Sequence, residues 1–291
     1  MRKTMMGFLL LSATPAMAAA QSRLDLGGPW QRFIGDHLYD SVTVPSSYAP
    51  MGSATLRREF ELARLKARQR AMLRFEGVAY EGRVRINGKR AGTAGWGRSE
   101  FDITDLVAGG SNQVEVDISD WQVPLGPNAA WEGYGGIIRE TYIEVRPDPY
   151  IENARLTYAI DLEKRAADCV LDAFVRGTVE ARGTLSAELL RNSVVVASAR
   201  ERITAAAGES VRTLRWRLDR VDLWSPEAPN LYELRVRLAS DAGEHVFSTE
   251  TGFRDLRVEG DRFVLNGRRL VLKGIDRHDM WKGQGFTLSA A

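Results

Sequence analysis

From Leu24 to Phe253 the chain is made of short runs in which apolar and polar residues alternate, separated by Gly, Pro, Asn and Asp. TLRREFEL at 55–62, EGRVRI at 81–86, SVRTLRWRL at 210–218 and LYELRVRLA at 231–239 are examples. A period of two sends successive side chains to opposite faces of a strand, whereas a helix repeats its apolar positions every three or four residues. Helical periodicity is nearly absent, so the pattern predicts an all-β chain whose half-apolar strands bury one face against a second sheet. Asn87-Gly88 and Asn266-Gly267 fall between such runs and accept the positive φ angles of tight hairpin turns. Asp102 to Asp105 reads as a turn in which Thr104 is a candidate helix cap.

Two prolines in Pro147-Asp148-Pro149 block both helix and central strand, which places a hinge there. Residues 21–147 are expected to form a jelly-roll sandwich. Residues 148–253 hold seven strand-like runs within about 100 residues, the density of an immunoglobulin-like sandwich. Residues 254–291 differ. Phe263–Leu265 and Leu270–Ile275 are apolar runs joined across Asn266-Gly267, and the second closes on Asp276, Arg277, His278 and Asp279. An apolar run ending in ionisable residues suits a buried barrel strand whose C-terminal end opens into a site. Thr287 to Ala291 has the look of a helix cap and first turn. One strand, a loop and a helix start make one unit of a fold that needs about eight, so the expectation is the truncated start of a (β/α)8 barrel. A barrel strand without neighbours leaves a sticky edge, so the isolated chain is expected to aggregate or to bind a partner.

Arg2 and Lys3, an apolar run from Met5 to Ala13, and Ala16-Met17-Ala18 fit a signal peptide over residues 1–20, cleaved near Ala18 to Ala20. Export to the periplasm or beyond the cell follows. No later stretch is long and apolar enough for a membrane helix, so no membrane partner is expected. The net charge is +2, and loss of Arg2 and Lys3 with the signal brings it to zero, which gives nucleic acid no attraction. Cys169 is the single cysteine; it forms no intrachain disulfide and its alternating surroundings assign it to packing. His37, His245 and His278 lack metal-ligand spacing, and no phosphate loop, dinucleotide fingerprint or nucleophile elbow is present, so no metal and no cofactor is expected.

Several ordered motifs then point to a family. LGGPW at 26–30, VTVPSSY at 42–48, the block from Arg74 to Val107 with its FEGV, INGK and FDIT segments, and GGIIR at 135–139 each resemble a segment of the family 2 glycoside hydrolases, the β-galactosidase and β-glucuronidase family. WSPEAPNLY at 224–232, TGFR at 251–254 and LNGRRLVLKGIDRHD at 265–279 continue the resemblance, with Asp276 where the family often has Asn and Asp279 where it often has Glu. The resemblance implies hydrolysis of β-linked O-glycosyl bonds by two glutamates on later barrel strands, the acid/base one directly after an Asn. No Asn-Glu dipeptide occurs in this chain, so no catalytic residue is assigned and the chain is expected to be inactive alone.

Sugar contact is a different matter. The resemblance places Arg277, His278 and Asp279 in a pocket-lining loop; pairing with neighbouring strands is an equal alternative. It also places the loop 123–136 against the sugar pocket, where Glu132 is the candidate acid and Trp131 the candidate stacking ring, with Trp96, Trp121 and Tyr134 behind it. The bland alternative is that these aromatics plug the end of a sandwich. Arg139 reads as an interdomain ion-pair partner. Three functions stay open: the non-catalytic N-terminal region of a secreted β-glycosidase, whose partners are carbohydrate and a barrel supplied in the same or another polypeptide; a stand-alone carbohydrate-binding module; and an inert truncated gene product. A homo-oligomer is compatible with each.

Overall fold

A computed structural model describes residues 22–48, 53–118, 135–277, 285 and 287. The strands of the first half are β1 (Ser22–Asp25), β2 (Gly28–Ile34), β3 (His37–Val44), β4 (Ala54–Leu62), β5 (Gln69–Phe75), β6 (Val78–Ala79), β7 (Glu81–Ile86), β8 (Lys89–Gly95), β9 (Ser99–Asp102), β10 (Gly110–Ile118), β11 (Gly136–Ile137) and β12 (Thr141–Pro147). They form an antiparallel sheet β1-β12-β5-β9, a second β3-β2-β4-β10-β7-β8, and a two-stranded ribbon β11-β6. The alternation puts Leu56, Leu73, Phe75, Val84, Val116 and Ile143 into one core between the two larger sheets. Trp30 lies in that core with its indole N–H donated to the Leu26 carbonyl at 2.8 Å, so the ring is buried without an orphaned donor.

The second half runs β13 (Tyr150–Asp161), β14 (Ala166–Gly177), β15 (Ala181–Arg191), β16 (Val194–Ala205), β17 (Gly208–Leu218), β18 (Tyr232–Ser240) and β19 (Gly243–Thr251). Its sheets, β13-β14-β17 and β16-β15-β18-β19, enclose a separate core of Leu171, Leu185, Leu214, Val236, Tyr232 and Phe253. Cys169 is buried there, and burial with Asp168 alongside pushes its thiol up to about 11, which makes it an inert packing group. In the WSPEAPNLY loop, Asn230 donates to the Leu223 carbonyl at 2.9 Å and the Tyr232 hydroxyl receives the Asp222 N–H at 2.9 Å. Tyr232 enters the core, whereas Leu231 stays exposed.

Both Asn-Gly pairs make the expected turns, with φ of 50° and 76° at Asn87-Gly88 and 51° and 77° at Asn266-Gly267. Asn192-Ser193 makes a third such turn without a glycine. At 102–105 there is a turn but no helix. Asp102 takes the capping role expected of Thr104, receiving the Thr104 backbone N–H at 3.0 Å and hydroxyl at 2.6 Å, while the Thr104 oxygen accepts from Ala71 N–H.

The last described segment departs from the barrel-strand expectation. A sheet of β20 (Leu256–Glu259), β21 (Arg262–Leu265) and β22 (Arg268–Leu270) is docked through Asn266, whose side chain donates to the Trp224 carbonyl and accepts from Asp255 N–H, both at 3.0 Å. The ladder stops at Leu270. Residues 271–277 form no strand, and Leu272 and Ile275 are 66% and 87% exposed, because no neighbouring strand among the described residues satisfies that backbone edge. No helix occurs among the described residues, and most of the expected helix start, Leu288 to Ala291, lies outside them. The signal-peptide segment is outside them too.

The connection between the sandwiches is pinned. Asp148 is buried, its N–H bonds to the Arg68 carbonyl, and its carboxylate receives both the backbone N–H and the hydroxyl of Thr178. Beside it Arg146, 4% exposed, donates two parallel bonds to Glu100 at 3.0 and 2.8 Å and another to Glu144 at 2.9 Å. Burial alone would raise the Glu100 carboxyl, but the bonds and charges of Arg146 and Arg74 outweigh it and hold the carboxyl below its ordinary range. Across the joint, His245 of β19 is 3% exposed, and its Nδ1 accepts the Ile151 N–H at 3.2 Å. The proton of the neutral ring therefore sits on Nε2. Burial, with Arg146 and Arg74 nearby, pushes this imidazole down to about 3.

A pH dependence follows. The unfolded chain protonates His245 near 6.5 and the folded chain only near 3, so the unfolded state binds more protons between those values. Stability is full above about pH 6.5 and falls as pH drops toward 3, by up to about 1.4 kcal/mol per pH unit from this residue. Urea denaturation at pH 7.5 and 5 checks it: His245→Phe should flatten the difference between the two pH values, and identical pH profiles for the variant and the parent would contradict it.

Candidate functional site

Three of the motifs read from the sequence meet at one end of the first sandwich. In the 42–48 motif, Ser46 N–H bonds to the Ile137 carbonyl and Tyr48 exchanges two bonds with Gly135, which ties this segment to the GGIIR motif. Gly136 explains why glycine is needed there: its φ is +143°, and a Cβ would stand 2.2 Å from the Ser46 carbonyl oxygen. The FEGV motif joins through the β6–β11 ribbon, where Val78 faces Ile137 and Ala79 faces Gly136. A Cβ on Gly77 would meet Arg139 at 3.0 Å and the Trp96 carbonyl at 3.2 Å, so this glycine lets the last two segments close over the ribbon.

The side chains gathered there are of a kind that holds sugars. Trp96, 48% exposed, stacks on Tyr80 with ring centroids 5.3 Å apart and planes at 21°. A tryptophan braced on one face by a second ring keeps little rotamer freedom to lose, and apolar C–H faces of sugars settle on such surfaces. Glu76 accepts from Arg98 at 2.9 Å and from the Tyr142 hydroxyl at 3.2 Å, fixing a carboxylate near the same loop. Deeper in, the hydroxyls of Ser46, Ser47 and Tyr48 and one guanidinium nitrogen of Arg32 are buried with no hydrogen-bond partner among the described residues. Burial pushes the Tyr48 phenol up to about 12, with the Arg32 guanidinium over its ring at 4.6 Å pulling the other way.

Of the site residues expected from the sequence, Trp96 and Arg277 are described; Arg277 lies at the exposed end of the segment 271–277. His278, Asp279, Trp131 and Glu132 lie outside the described residues, as do Trp121 and Tyr134. Arg139 is exposed and donates to the Ile138 carbonyl at 2.9 Å. Sequence reasoning missed Tyr80 and Glu76. Their one signal was position, since both flank the Gly77-Val78 step of a motif already singled out.

Comparison with known proteins settles the kinship. The model of the glycosyl hydrolases family 2 sugar binding domain matches residues 30–146, and that of glycosyl hydrolases family 2 matches residues 149–254. The chain belongs to glycosyl hydrolase family 2. Family relatives include the beta-galactosidase large subunit of Latilactobacillus sakei, 26% identical over 253 residues that cover 84% of this chain and 39% of that protein. A beta-galactosidase of Priestia megaterium is 26% identical over 263 residues, covering 86% of this chain and 25% of that protein. The chain thus spans well under half the length of these curated relatives. Among solved structures, the beta-glucuronidase of Bacteroides uniformis shares the fold with a TM-score of 0.82 at 20% identity, over 92% of this chain and 37% of that one. The family 2 glycines can be tested directly. Gly136→Ala should cost about 2–3 kcal/mol of stability in urea denaturation, through positive φ and the clash with Ser46. Gly95→Ala, whose Cβ would meet nothing nearer than 3.8 Å, should be within about 0.5 kcal/mol of the parent, and equal losses would contradict this account.

Proposed function

We propose that this chain is the sugar-binding and supporting region of an exported β-glycosidase, galactosidase-like or glucuronidase-like, that acts together with a (β/α)8 barrel carrying the catalytic glutamates. The observation that carries the reading is the pair of family matches in succession, sugar binding domain first, in a chain whose described residues form strands and no helix. In this reading the first sandwich is a jelly roll, the second is an immunoglobulin-like spacer that fixes it, and the segment from Leu256 onward leads into the first barrel strand. Leu272 and Ile275, exposed here, would then be covered by that barrel. Arg277, His278, Asp279, Trp131 and Glu132 would line one wall of the sugar pocket, beside Trp96. Export rests on the leader-like residues 1–20.

Retaining hydrolysis requires two carboxyls about 5–5.5 Å apart with pKa values driven apart by their surroundings. The sequence offers no Asn-Glu step for the acid/base residue. A panel of aryl β-glycosides incubated with the purified chain should therefore show no hydrolysis above the buffer rate, and addition of lysate from the source cells should restore it. Turnover by the pure chain would overturn the reading. Sugar binding with no activity in either arm would favour a stand-alone carbohydrate-binding module, for which the braced, half-exposed Trp96 is the supporting observation.

A further inference from the structure

We propose that the groove between the two sandwiches is a binding site for a neutral saccharide. The groove has a volume of about 700 Å3, within the range of small-molecule sites, and takes its walls from both sandwiches. Its floor is the outer face of the sheet β1-β12-β5-β9, and its far wall comes from β13 and β19.

Its charges select the ligand. Arg74, Arg98 and Arg146 line it together with Glu100, Glu144 and Glu152. Each of these charges already has a partner: Arg74 and Arg146 share Glu100, Arg146 also holds Glu144, Arg98 holds Glu76, and Glu152 pairs with Arg176 at 3.2 Å. A phosphate, a uronate or a cation would have to break one of these pairs, at the cost of leaving a charge uncompensated. What stays available is the second lone pairs of carboxylates, the outer guanidinium N–H groups, the Thr249 side chain, the amide N–H groups of Asn153, whose oxygen takes the Ala154 N–H, and the oxygen of Ser248, whose proton goes to Glu233. Alternating donors and acceptors without net charge match a ring of hydroxyls, each of which donates once and accepts twice.

A second observation points the same way. His245 also lines the groove, is 3% exposed, and its Nε2 has no hydrogen-bond partner among the described residues. With Nδ1 occupied by the Ile151 N–H, Nε2 carries the proton and is a buried donor without an acceptor. This N–H is covered by the groove lining, so a sugar hydroxyl, or a water held by that sugar, supplies the acceptor once the lining side chains shift to uncover it. The proposal stands on the groove and its residues, independently of whether the chain works with a catalytic barrel.

The test is isothermal titration calorimetry of the full chain at pH 7.5 with three neutral β-linked disaccharides, lactose, cellobiose and xylobiose, and with glucuronate as the charged control. At least one disaccharide should bind, with affinity lowered about 10-fold by Asn153→Ala and by His245→Phe, as expected for loss of one hydrogen bond to a buried or polar partner. Melting curves establish that each variant is folded; Asn153 is exposed, so its variant keeps the test valid if His245→Phe unfolds. Absence of binding by all three disaccharides, affinity unchanged in the folded variants, or binding of glucuronate in their place would overturn the proposal.

Discussion

The two sandwiches are tied across their joint by Asp148, whose carboxylate holds Thr178, and by Arg68, whose carbonyl takes the Asp148 N–H and whose guanidinium reaches Asp241 at 2.7 Å. Charges removed from water cost several kcal/mol each unless every lone pair and proton finds a partner. That condition is met on the first sandwich's side of the joint, where Arg146 forks onto Glu100 and reaches Glu144 while Arg74 shares Glu100, all within the sheet β1-β12-β5-β9. Arg146 also lies over the Tyr150 ring of β13 at 5.2 Å, which sets the network against the second sandwich. The two-proline connection is therefore a fixed elbow.

A fixed elbow gives the end of the first sandwich a defined direction. The motifs that converge there do so through backbone: the paired bonds of Tyr48 with Gly135, the ribbon of β6 and β11, and glycines at 77 and 136 that permit close approach. On this frame Trp96 is braced by Tyr80. Binding sites on such supported loops lose less entropy when a ligand orders them.

Much of the fold is legible in the alternation alone. The runs from Thr55, Glu81, Ser210 and Leu231 correspond to strands β4, β7, β17 and β18, and both Asn-Gly turns are where local chemistry requires them. The run 270–275 is not a strand among the described residues, where the ladder ends at Leu270 and Leu272 and Ile275 are exposed. Thr104 misled because its oxygen accepts from Ala71 N–H, while the N–H groups of Leu106 and Val107 that a cap would take bond to the Ile103 carbonyl. The network around Arg146 and the burial of His245 could not be read from the chain, since they depend on pairs such as Arg146–Glu100 and His245–Ile151, 46 and 94 positions apart, whose identities carry no local period. The braced Trp96 was within reach as an aromatic between glycines, but its partner Tyr80 was not.

The central claim is that these family 2 residues present and support a sugar site without supplying its nucleophile. Intact-mass measurement after incubation with activated 2-fluoro β-galactoside and β-glucuronide, which trap a retaining nucleophile as a stable glycosyl ester, tests that claim most directly. The account predicts a chain of unchanged mass. A stoichiometric gain of one glycosyl group, mapped to an Asp or Glu of this chain, would contradict it.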